Sequence, residues 1–252
     1  MTGTVNLDTP EQVDSRRAIF ARWLWPSRCL VCSAAGERRR DLCAACAAGL
    51  PWLAMACRHC ALPLADATGP TYPAICGACL RGAPPVLTEA HAACLYQAPL
   101  DRLLPRFKFH RDLAAGRLLA QLMAARLGPL AVQWSAPATL VPVPLHWRRL
   151  RQRGYDQALE LARPLAAMLG LPLATDALER ARHTDPQSTL AADRRRANLR
   201  DAFRVGARTA LPAHVVLVDD VMTTGATLQA AAVALRAAGV ARVDAWVCAR
   251  VP

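Results

Sequence analysis

The chain has 252 residues, of which 54% are hydrophobic and 20% are charged. This composition supplies enough apolar residues for a sizeable core and excludes a disordered chain. The formal net charge of +12, with arginine supplying all but one of the basic residues, favours an anionic partner such as nucleic acid or phosphate, and a genome-wide preference for Ala and Arg explains it equally well.

Residues 1–25 form a predicted N-terminal tail. The tail carries acids where a secretory signal has basic residues followed by an apolar run. The longest uncharged stretch, residues 127–147, is interrupted by four prolines and differs from the roughly 20 consecutive apolar residues of a transmembrane helix. We therefore expect a cytoplasmic protein without membrane insertion.

Four C-x-x-C pairs occur between residues 26 and 82, which we predict to be a small zinc-binding module. The pairs are Cys29/Cys32, Cys43/Cys46, Cys57/Cys60 and Cys76/Cys79. Disulfides are disfavoured in a chain that is not exported, whereas two C-x-x-C pairs supply the four thiolates that a structural zinc ion prefers. Sequential pairing is the simplest arrangement, with the first two pairs on one Zn²⁺ and the last two on a second. A crossed pairing stays open.

The predicted zinc sites are structural. Four cysteines leave no open coordination position for a substrate, and a module this small depends on metal binding for much of its folding free energy. The two remaining cysteines, Cys94 and Cys248, lie in apolar segments and are predicted core residues.

The rest of the chain, residues 88–252, alternates strands and helices after a linker at 81–88. In chain order we predict a strand at 90–96, two helices within 100–127 divided at Pro105 and Gly116, a strand at 139–143, a helix at 157–169 ended by Gly170, a strand at 215–218, a helix at 226–238 and a strand at 242–249. This alternation predicts an α/β domain with a parallel sheet flanked by helices.

The segment V-V-L-V-D-D-V-M-T-T-G-A-T-L at residues 215–228 carries the clearest ligand chemistry. Ligands of parallel sheets bind beyond the carboxyl ends of the strands, where Asp219 and Asp220 are expected to contact a vicinal diol directly or through hydrated Mg²⁺. Backbone N–H groups at a helix N-terminus suit a phosphate. The residues predicted to bind that phosphate are Thr223, Thr224, Gly225, Ala226 and Thr227. A diol beside a phosphate describes a ribose 5-phosphate; acids that merely cap the helix are the alternative.

This segment resembles the signature of the type I phosphoribosyltransferases, which bind 5-phosphoribosyl 1-pyrophosphate (PRPP). Two further segments, V-P-V-P-L-H-W-R-R-L-R-Q-R-G-Y-D-Q and Q-S-T-L-A-A-D-R-R-R-A-N-L-R-D-A-F, together with the C-x-x-C module, resemble the ComF (GntX-like) family from Cys29 onward. The resemblance implies a double zinc-ribbon-like module on a type I phosphoribosyltransferase-like domain. It also implies a role in natural competence, the uptake and handling of transforming DNA. The family pattern R-G-F-N-Q stands here as R-G-Y-D-Q, which places the carboxylate of Asp156 beside the pyrophosphate site.

The resemblance also assigns the remaining site residues. Pyrophosphate binding is expected at Leu145, His146, Trp147, Arg148, Arg149 and Arg153, with Arg151 as a further candidate. Guanidinium groups suit phosphate oxygens, and a solvated basic helix face is the alternative. Residues 180–203 correspond to the mobile flap of such enzymes, with Gln187, Arg195 and Asn198 matching the family pattern.

Three functions stay open from the sequence. The first is a phosphoribosyltransferase, a pentosyl-type glycosyltransferase of unknown acceptor, in which Asp219 and Asp220 hold the ribose of Mg²⁺-bound PRPP as pyrophosphate leaves C1. The second is a PRPP sensor on the same fold. The third is a non-catalytic competence factor that binds single-stranded DNA, with other competence proteins as partners.

Overall fold

The computed structural model describes residues 27–37, 40–64, 74–82, 85–134, 136–181, 202–206 and 211–252. Its contacts divide the chain into two compact units, Met1–Gly49 and Leu50–Pro252. The division falls between the second and third C-x-x-C pairs, so the last two pairs belong to the same unit as the sheet. The domain limits given above stay a prediction.

In chain order, two short helices near the cysteines come before the helices and strands of the sheet-containing part. The elements are α1 (Ala44–Ala48), α2 (Gly77–Arg81), β1 (Glu89–Leu95), α3 (Leu100–Phe109), α4 (Leu113–Ala131), β2 (Thr139–Pro142), α5 (Trp147–Arg153), α6 (Gln157–Leu169), β3 (Leu178–Arg180), β4 (Phe203–Val205), β5 (His214–Met222), α7 (Ala226–Ala237) and β6 (Arg242–Arg250). Among the described residues, no helix combines the length and apolarity needed to cross a membrane.

The main sheet has four parallel strands in the order β1-β6-β5-β2. This confirms the predicted α/β fold with a parallel sheet flanked by helices. Helices α4 and α6 pack against each other on one face of the sheet. On the opposite face, α7 and the antiparallel pair β3–β4 bury Leu228, Leu235, Leu178 and Phe203 against Val215 of β5.

The predicted division of the segment 100–127 is wrong in position. Two helices form, but Pro105 lies inside α3 and Gly116 inside α4. The chain turns instead at Arg111, whose φ is +55°, and α4 begins after Asp112, whose carboxylate accepts a hydrogen bond from the Ala115 N–H. An N-terminal cap of this kind satisfies one of the first unpaired N–H groups of a helix.

Strand β5 is longer than predicted. The sequence analysis ended it at Val218, before the two acids, whereas the strand continues through Asp219 and Asp220 to Met222. The reason is its neighbour β6, which pairs with β5 as far as Arg250 and supplies backbone partners for the acidic residues. Helix α6 begins and ends where predicted, with Gly170 in the left-handed conformation after its last residue.

Candidate functional site

The first two C-x-x-C pairs form one cluster in the unit Met1–Gly49. All four sulfur atoms, of Cys29, Cys32, Cys43 and Cys46, lie within 4.8 Å of one another. The Sγ atoms of Cys32 and Cys43 are 3.6 Å apart. Tetrahedral zinc with Zn–S bonds of about 2.3 Å places its sulfur ligands about 3.8 Å apart, so the cluster has the dimensions of a four-cysteine zinc site.

The last two pairs, Cys57, Cys60, Cys76 and Cys79, form a second cluster of the same size. The Sγ atoms of Cys60 and Cys76 are 3.7 Å apart, and the Cys76 N–H donates to the Cys57 sulfur at 3.3 Å. Backbone N–H donors to thiolates are typical of metal-bound cysteines, because they offset the negative charge that the metal leaves on sulfur. The sequential pairing is the one the fold forms. Both sites suit structural Zn²⁺.

The second cluster is joined to the sheet by backbone hydrogen bonds. The Leu53 N–H donates to the Ala93 carbonyl of β1 at 3.1 Å, the Leu95 N–H donates to the Pro51 carbonyl at 2.8 Å, and the Ala90 N–H donates to the Arg58 carbonyl at 2.8 Å. The segment leading into the third C-x-x-C pair therefore covers the outer edge of β1. A covered edge cannot pair with another chain.

Arg250 connects the same cluster to the end of the central strand. Its Nε donates to the Cys60 carbonyl at 2.8 Å and one Nη donates to the Met222 carbonyl at 3.3 Å. The side chain is almost fully buried, and the Met222 carbonyl also accepts the Val251 N–H at 3.0 Å. A zinc knuckle and the last residue of β5 are thus held by one guanidinium group.

The predicted ribose-binding acids lie at the carboxyl end of β5. Strand β2 pairs with β5 only as far as Val218, so the chain passes Asp219 and Asp220 with β6 alone as its neighbour. Side chains alternate along a strand, which places Asp219 on the face of Val215 and α7, and Asp220 on the opposite face. The two carboxylates therefore lie on different faces of the strand.

The two acids have different surroundings. Burial and then the neighbouring Asp220 carboxylate raise the pKa of Asp219 to about 7. Asp220 forms an ion pair with Lys108 of α3, with 2.8 Å between Lys108 Nζ and Asp220 Oδ2. Asp220 therefore has a cation beside it, whereas near pH 7 Asp219 is divided between its neutral and charged forms.

The predicted phosphate loop follows β5 directly. Thr223 and Thr224 are exposed, and Gly225 adopts φ +75° immediately before α7 begins at Ala226. An added Cβ at Gly225 would stand 2.5 Å from the Met222 Cε, the movable end of a flexible side chain, so it is the left-handed conformation that favours glycine here. Thr227 lies in the first turn of α7. The loop presents hydroxyl groups at a helix N-terminus, where an anion is favoured.

The predicted pyrophosphate segment begins as a loop and becomes helix α5. Its first residue, Leu145, donates its N–H to the Asp156 carboxylate at 2.8 Å, and the same side chain accepts the Leu159 N–H at 3.1 Å as the N-cap of α6. His146 caps α5. Asp156, the departure from the family pattern, thus has a structural role, and its N-cap position before the helix at Gln157 is a signal that the sequence contained.

The arginines of α5 divide into two groups. Arg148 and Arg151 are exposed, with guanidinium carbons 5.3 Å and 4.9 Å from the centre of the Trp147 ring. Arg153 is partly buried, donates to Gln157 at 2.8 Å, and has a pKa lowered by burial although the Asp220 charge opposes this. Arg149 is partly buried. Arg153 is therefore close enough to the acids of β5 for the Asp220 charge to affect it.

The predicted flap residues Gln187, Arg195 and Asn198 lie outside the described residues. The structure does describe the two strands that flank this segment, β3 and β4, which pair from Leu178 opposite Val205 to Arg180 opposite Phe203. Arg180 has a pKa lowered by burial, with the Asp219 charge acting in the opposite direction. Arg180, which precedes the predicted flap segment, is therefore close enough to Asp219 for the carboxylate charge to affect its pKa.

Sequence reasoning missed Lys108 and Arg250. Both contact the site from segments far from the acidic motif along the chain. Lys108 carried one signal, since it is the sole lysine of the sequence. Arg250 carried none, because an arginine at the end of a buried strand has no pattern that names its partner.

Two family comparisons agree with this architecture. Residues 20–90 match the Double zinc ribbon domain, and residues 156–252 match the Phosphoribosyl transferase domain. The chain is therefore a protein with a double zinc ribbon and a phosphoribosyltransferase domain, built on a parallel sheet with two four-cysteine clusters.

Whole-chain relatives identify the family. The chain is 36% identical to Competence protein F of Haemophilus influenzae over 201 residues, which cover 77% of this chain and 84% of that protein. It is 37% identical to DNA utilization protein YhgH of Salmonella typhimurium over 218 residues, 83% and 90% of the two chains. With YhgH of Escherichia coli K12 the identity is 34% over 230 residues, 88% and 89% of the two chains. The chain belongs to this family, the ComF family.

Proposed function

We propose that this protein binds PRPP, or another ribose 5-phosphate, with Mg²⁺ at the carboxyl end of β5, and that it acts as a phosphoribosyltransferase in the handling of DNA during natural competence. The observation that carries the proposal is the order of groups along β5 and α7. Two acids, an exposed pair of threonines and a left-handed glycine at a helix start follow one another there. The acids suit ribose hydroxyls and the loop suits the 5′-phosphate.

We propose that Mg²⁺ is coordinated mainly by the phosphate groups of the ligand and by water, and less by the described protein residues. Asp219 and Asp220 offer the hard oxygen atoms that Mg²⁺ prefers, but they lie on opposite faces of β5 and Asp220 is paired with Lys108. Mg²⁺ commonly keeps several waters and binds substrate phosphates with only one or two carboxylates. We therefore propose that Mg²⁺ enters with PRPP, and that Asp219 and Asp220 bind its water ligands or the ribose hydroxyls.

The biological setting rests on the relatives. Their names refer to competence and to DNA utilization, and the cytoplasm is where we propose that the protein meets incoming DNA. Catalysis and sensing are distinguished by the fate of the ligand: a transferase releases pyrophosphate when its acceptor is present, whereas a sensor returns PRPP unchanged.

Calorimetric titration of the zinc-loaded protein with PRPP and Mg²⁺ tests ligand binding. We expect saturable binding by the wild-type protein. The affinity of the double variant Asp219→Asn, Asp220→Asn should be lower by about tenfold or more, because each charged hydrogen bond contributes about 1.5–3 kcal/mol. The matched control is Asp101→Asn, which removes an exposed carboxylate at the start of α3. Absence of binding to the wild-type protein would contradict the proposal.

A second candidate function, binding of single-stranded DNA, is favoured by the exposed face of α5. Trp147 is 50% exposed, and Arg148 and Arg151 lie over its ring. Exposed aromatic rings that stack bases, next to cations that contact the phosphate backbone, are typical of surfaces that bind single strands without sequence preference. This function is compatible with PRPP binding at β5.

Fluorescence anisotropy with a labelled oligothymidine tests this second function. Trp147→Ala is expected to weaken binding by about 1–3 kcal/mol, the usual contribution of one stacked base. Arg148→Ala is expected to reduce the slope of the logarithm of the binding constant against the logarithm of salt concentration by about one, the value for one released counterion. Arg163→Ala removes an equal charge from α6, where the arginine pairs with Glu160, and serves as the control. Equal loss in Arg148→Ala and Arg163→Ala, with no loss in Trp147→Ala, would indicate a general charge effect and reject this surface.

A further inference from the structure

Lys108 is chemically exceptional in this chain. Of the 31 lysine and arginine residues, it is the sole lysine. The other ion pairs among the described residues use arginine or histidine, as in Arg58 with Glu89 and Arg106 with Asp112. A lysine ammonium differs from a guanidinium in being a compact point charge with three donors that rotate freely.

The position of Lys108 is fixed by the packing of α3. Leu104 and Phe107 are buried, and the Phe107 ring lies 5.7 Å from the Tyr155 ring. Beyond the helix, the Arg111 Nε donates to the Arg153 carbonyl at 3.2 Å, which joins the α3–α4 turn to the end of α5. The lysine thus stands on a helix end that is attached to the predicted pyrophosphate segment.

The ammonium group reaches the acidic motif itself. Lys108 Nζ is 2.8 Å from Asp220 Oδ2, and the side chains are 26% and 7% exposed. One carboxylate oxygen occupies one of the three ammonium donors, so a second oxygen can be bound without breaking the pair. The partly exposed lysine is the member of the pair that an incoming ligand can reach.

Charge balance explains why a cation is needed there. Asp219 and Asp220 together would repel a pyrophosphate group that approaches the carboxyl end of β5. Arg153 lies within range of the Asp220 charge, so Lys108 and Arg153 are two cations beside the same carboxylate. The side of β5 that carries Asp220 is therefore the side suited to the most highly charged part of the ligand.

We propose that Lys108 is a ligand-binding residue of this site, and that it donates to an anionic oxygen of the pyrophosphate group while it stays paired with Asp220. The proposal rests on the proposed function, because it concerns the same ligand. It assigns to Lys108 a contact with pyrophosphate and none with the 5′-phosphate, which belongs to the loop at Gly225.

The sole lysine makes a direct test possible. In the zinc-loaded wild-type protein, Lys108 and the terminal α-amine are the amines on which an amine-selective reagent such as trinitrobenzenesulfonate can act. The rate of Lys108 modification is measured by peptide mass spectrometry. With saturating Mg²⁺-pyrophosphate we expect this rate to fall about tenfold, because a charged hydrogen bond then occupies the amine. The α-amine is the internal control and is expected to react at an unchanged rate.

Affinities provide the second arm. Lys108→Met is expected to weaken binding of PRPP and of Mg²⁺-pyrophosphate about tenfold or more, with little change for ribose 5-phosphate. Arg163→Met removes a cation from α6 and is expected to change none of the three. Zinc content and melting temperature show that each variant is folded.

The outcomes separate the two proposals. If the wild-type protein binds neither PRPP nor pyrophosphate, the proposed function fails and this inference fails with it. If it binds both, but pyrophosphate leaves Lys108 as reactive as before and Lys108→Met keeps its affinity, then only the role of Lys108 is overturned. A loss of ribose 5-phosphate affinity equal to the loss of pyrophosphate affinity would also overturn it, since the ammonium group would then act only through Asp220.

Discussion

Asp219 and Asp220 are neighbours in sequence, yet the strand gives them different environments. Asp220 has the Lys108 ammonium at 2.8 Å, while burial is the main influence on Asp219 and raises its pKa to about 7. A carboxyl group that is harder to ionise in the folded protein than in the unfolded chain lowers stability once it is charged. The charged form of Asp219 thus lowers the stability of the folded protein.

A pH dependence of stability follows for Asp219. Because its pKa rises from 3.8 in the unfolded reference to about 7 on folding, the folded state binds more protons between these values. The free energy of unfolding should therefore fall as pH rises toward 7 and level off above it. In Asp219→Asn this fall is expected to be smaller between pH 6 and pH 8.

Urea unfolding at several pH values measures this difference. Asp101→Asn, which alters an exposed carboxylate on α3, is the control and should follow the wild-type curve. A wild-type curve that matches Asp219→Asn between pH 6 and pH 8 would contradict the assignment of a raised pKa to Asp219.

At the scale of the elements, most boundaries could be predicted and the errors have physical causes. Helix α6 was found because Gly170 marks its end by local backbone chemistry. The α3–α4 boundary was missed because the turn lies at Arg111, a residue type that rarely adopts positive φ, while the two expected breakers sit inside helices. Strand β5 was cut short because acids are uncommon in buried strands and its continuation depends on pairing with β6.

Gly116 illustrates why a glycine inside a helix misled the prediction. A Cβ at this position would lie 2.5 Å from Phe107 Cε2, in the contact between α4 and α3. The glycine is therefore there for close packing between the helices rather than to end one.

The Gly116→Ala variant tests this packing. We expect a loss of about 1–2 kcal/mol in the free energy of unfolding, because overpacking against a buried ring costs about 1–3 kcal/mol and the better helix propensity of alanine returns up to about 1 kcal/mol. Gly128→Ala in the same helix is the matched control. Its added Cβ meets the end of the flexible Leu169 side chain, so little change or a small gain is expected in the same urea experiment.

The candidate site shows a similar division between what the sequence could and could not predict. The cysteine pairs are contiguous motifs whose chemistry is local, and the structure groups them into the two predicted clusters. The acids and the Thr-Gly loop are contiguous motifs as well, and their role as a ligand site stays a prediction. Lys108 and Arg250 were not predicted, because each acts on a segment distant along the chain. Such contacts exist only once the fold brings the segments together.

At the scale of the whole molecule, the second cysteine cluster and the sheet belong to one compact unit. Arg250 bonds to the Cys60 carbonyl and to the Met222 carbonyl, and Leu53 bonds to β1. Loss of the second zinc ion should therefore affect the end of β5 and the predicted phosphate loop that follows it.

Hydrogen exchange in Cys57→Ser tests this connection. We expect faster exchange in peptides of β1 and in the peptide that spans Met222, together with weaker PRPP binding, because the knuckle that holds both segments depends on its metal. Cys29→Ser, which removes a ligand from the other cluster, reports the general effect of losing one zinc ion. Equal protection of the β1 peptide in the two variants would contradict the connection.

The strand order β1-β6-β5-β2 places the two strands that come last along the chain at the centre of the sheet. Strands β1 and β2 each pair with one of these central strands and not with each other. During synthesis, the main sheet therefore cannot close until the ribosome has released Arg250. Until then, β1 lacks its partner β6, although β2 can pair with β5 as soon as that strand has emerged. An unpaired strand of this kind makes a nascent chain prone to aggregation.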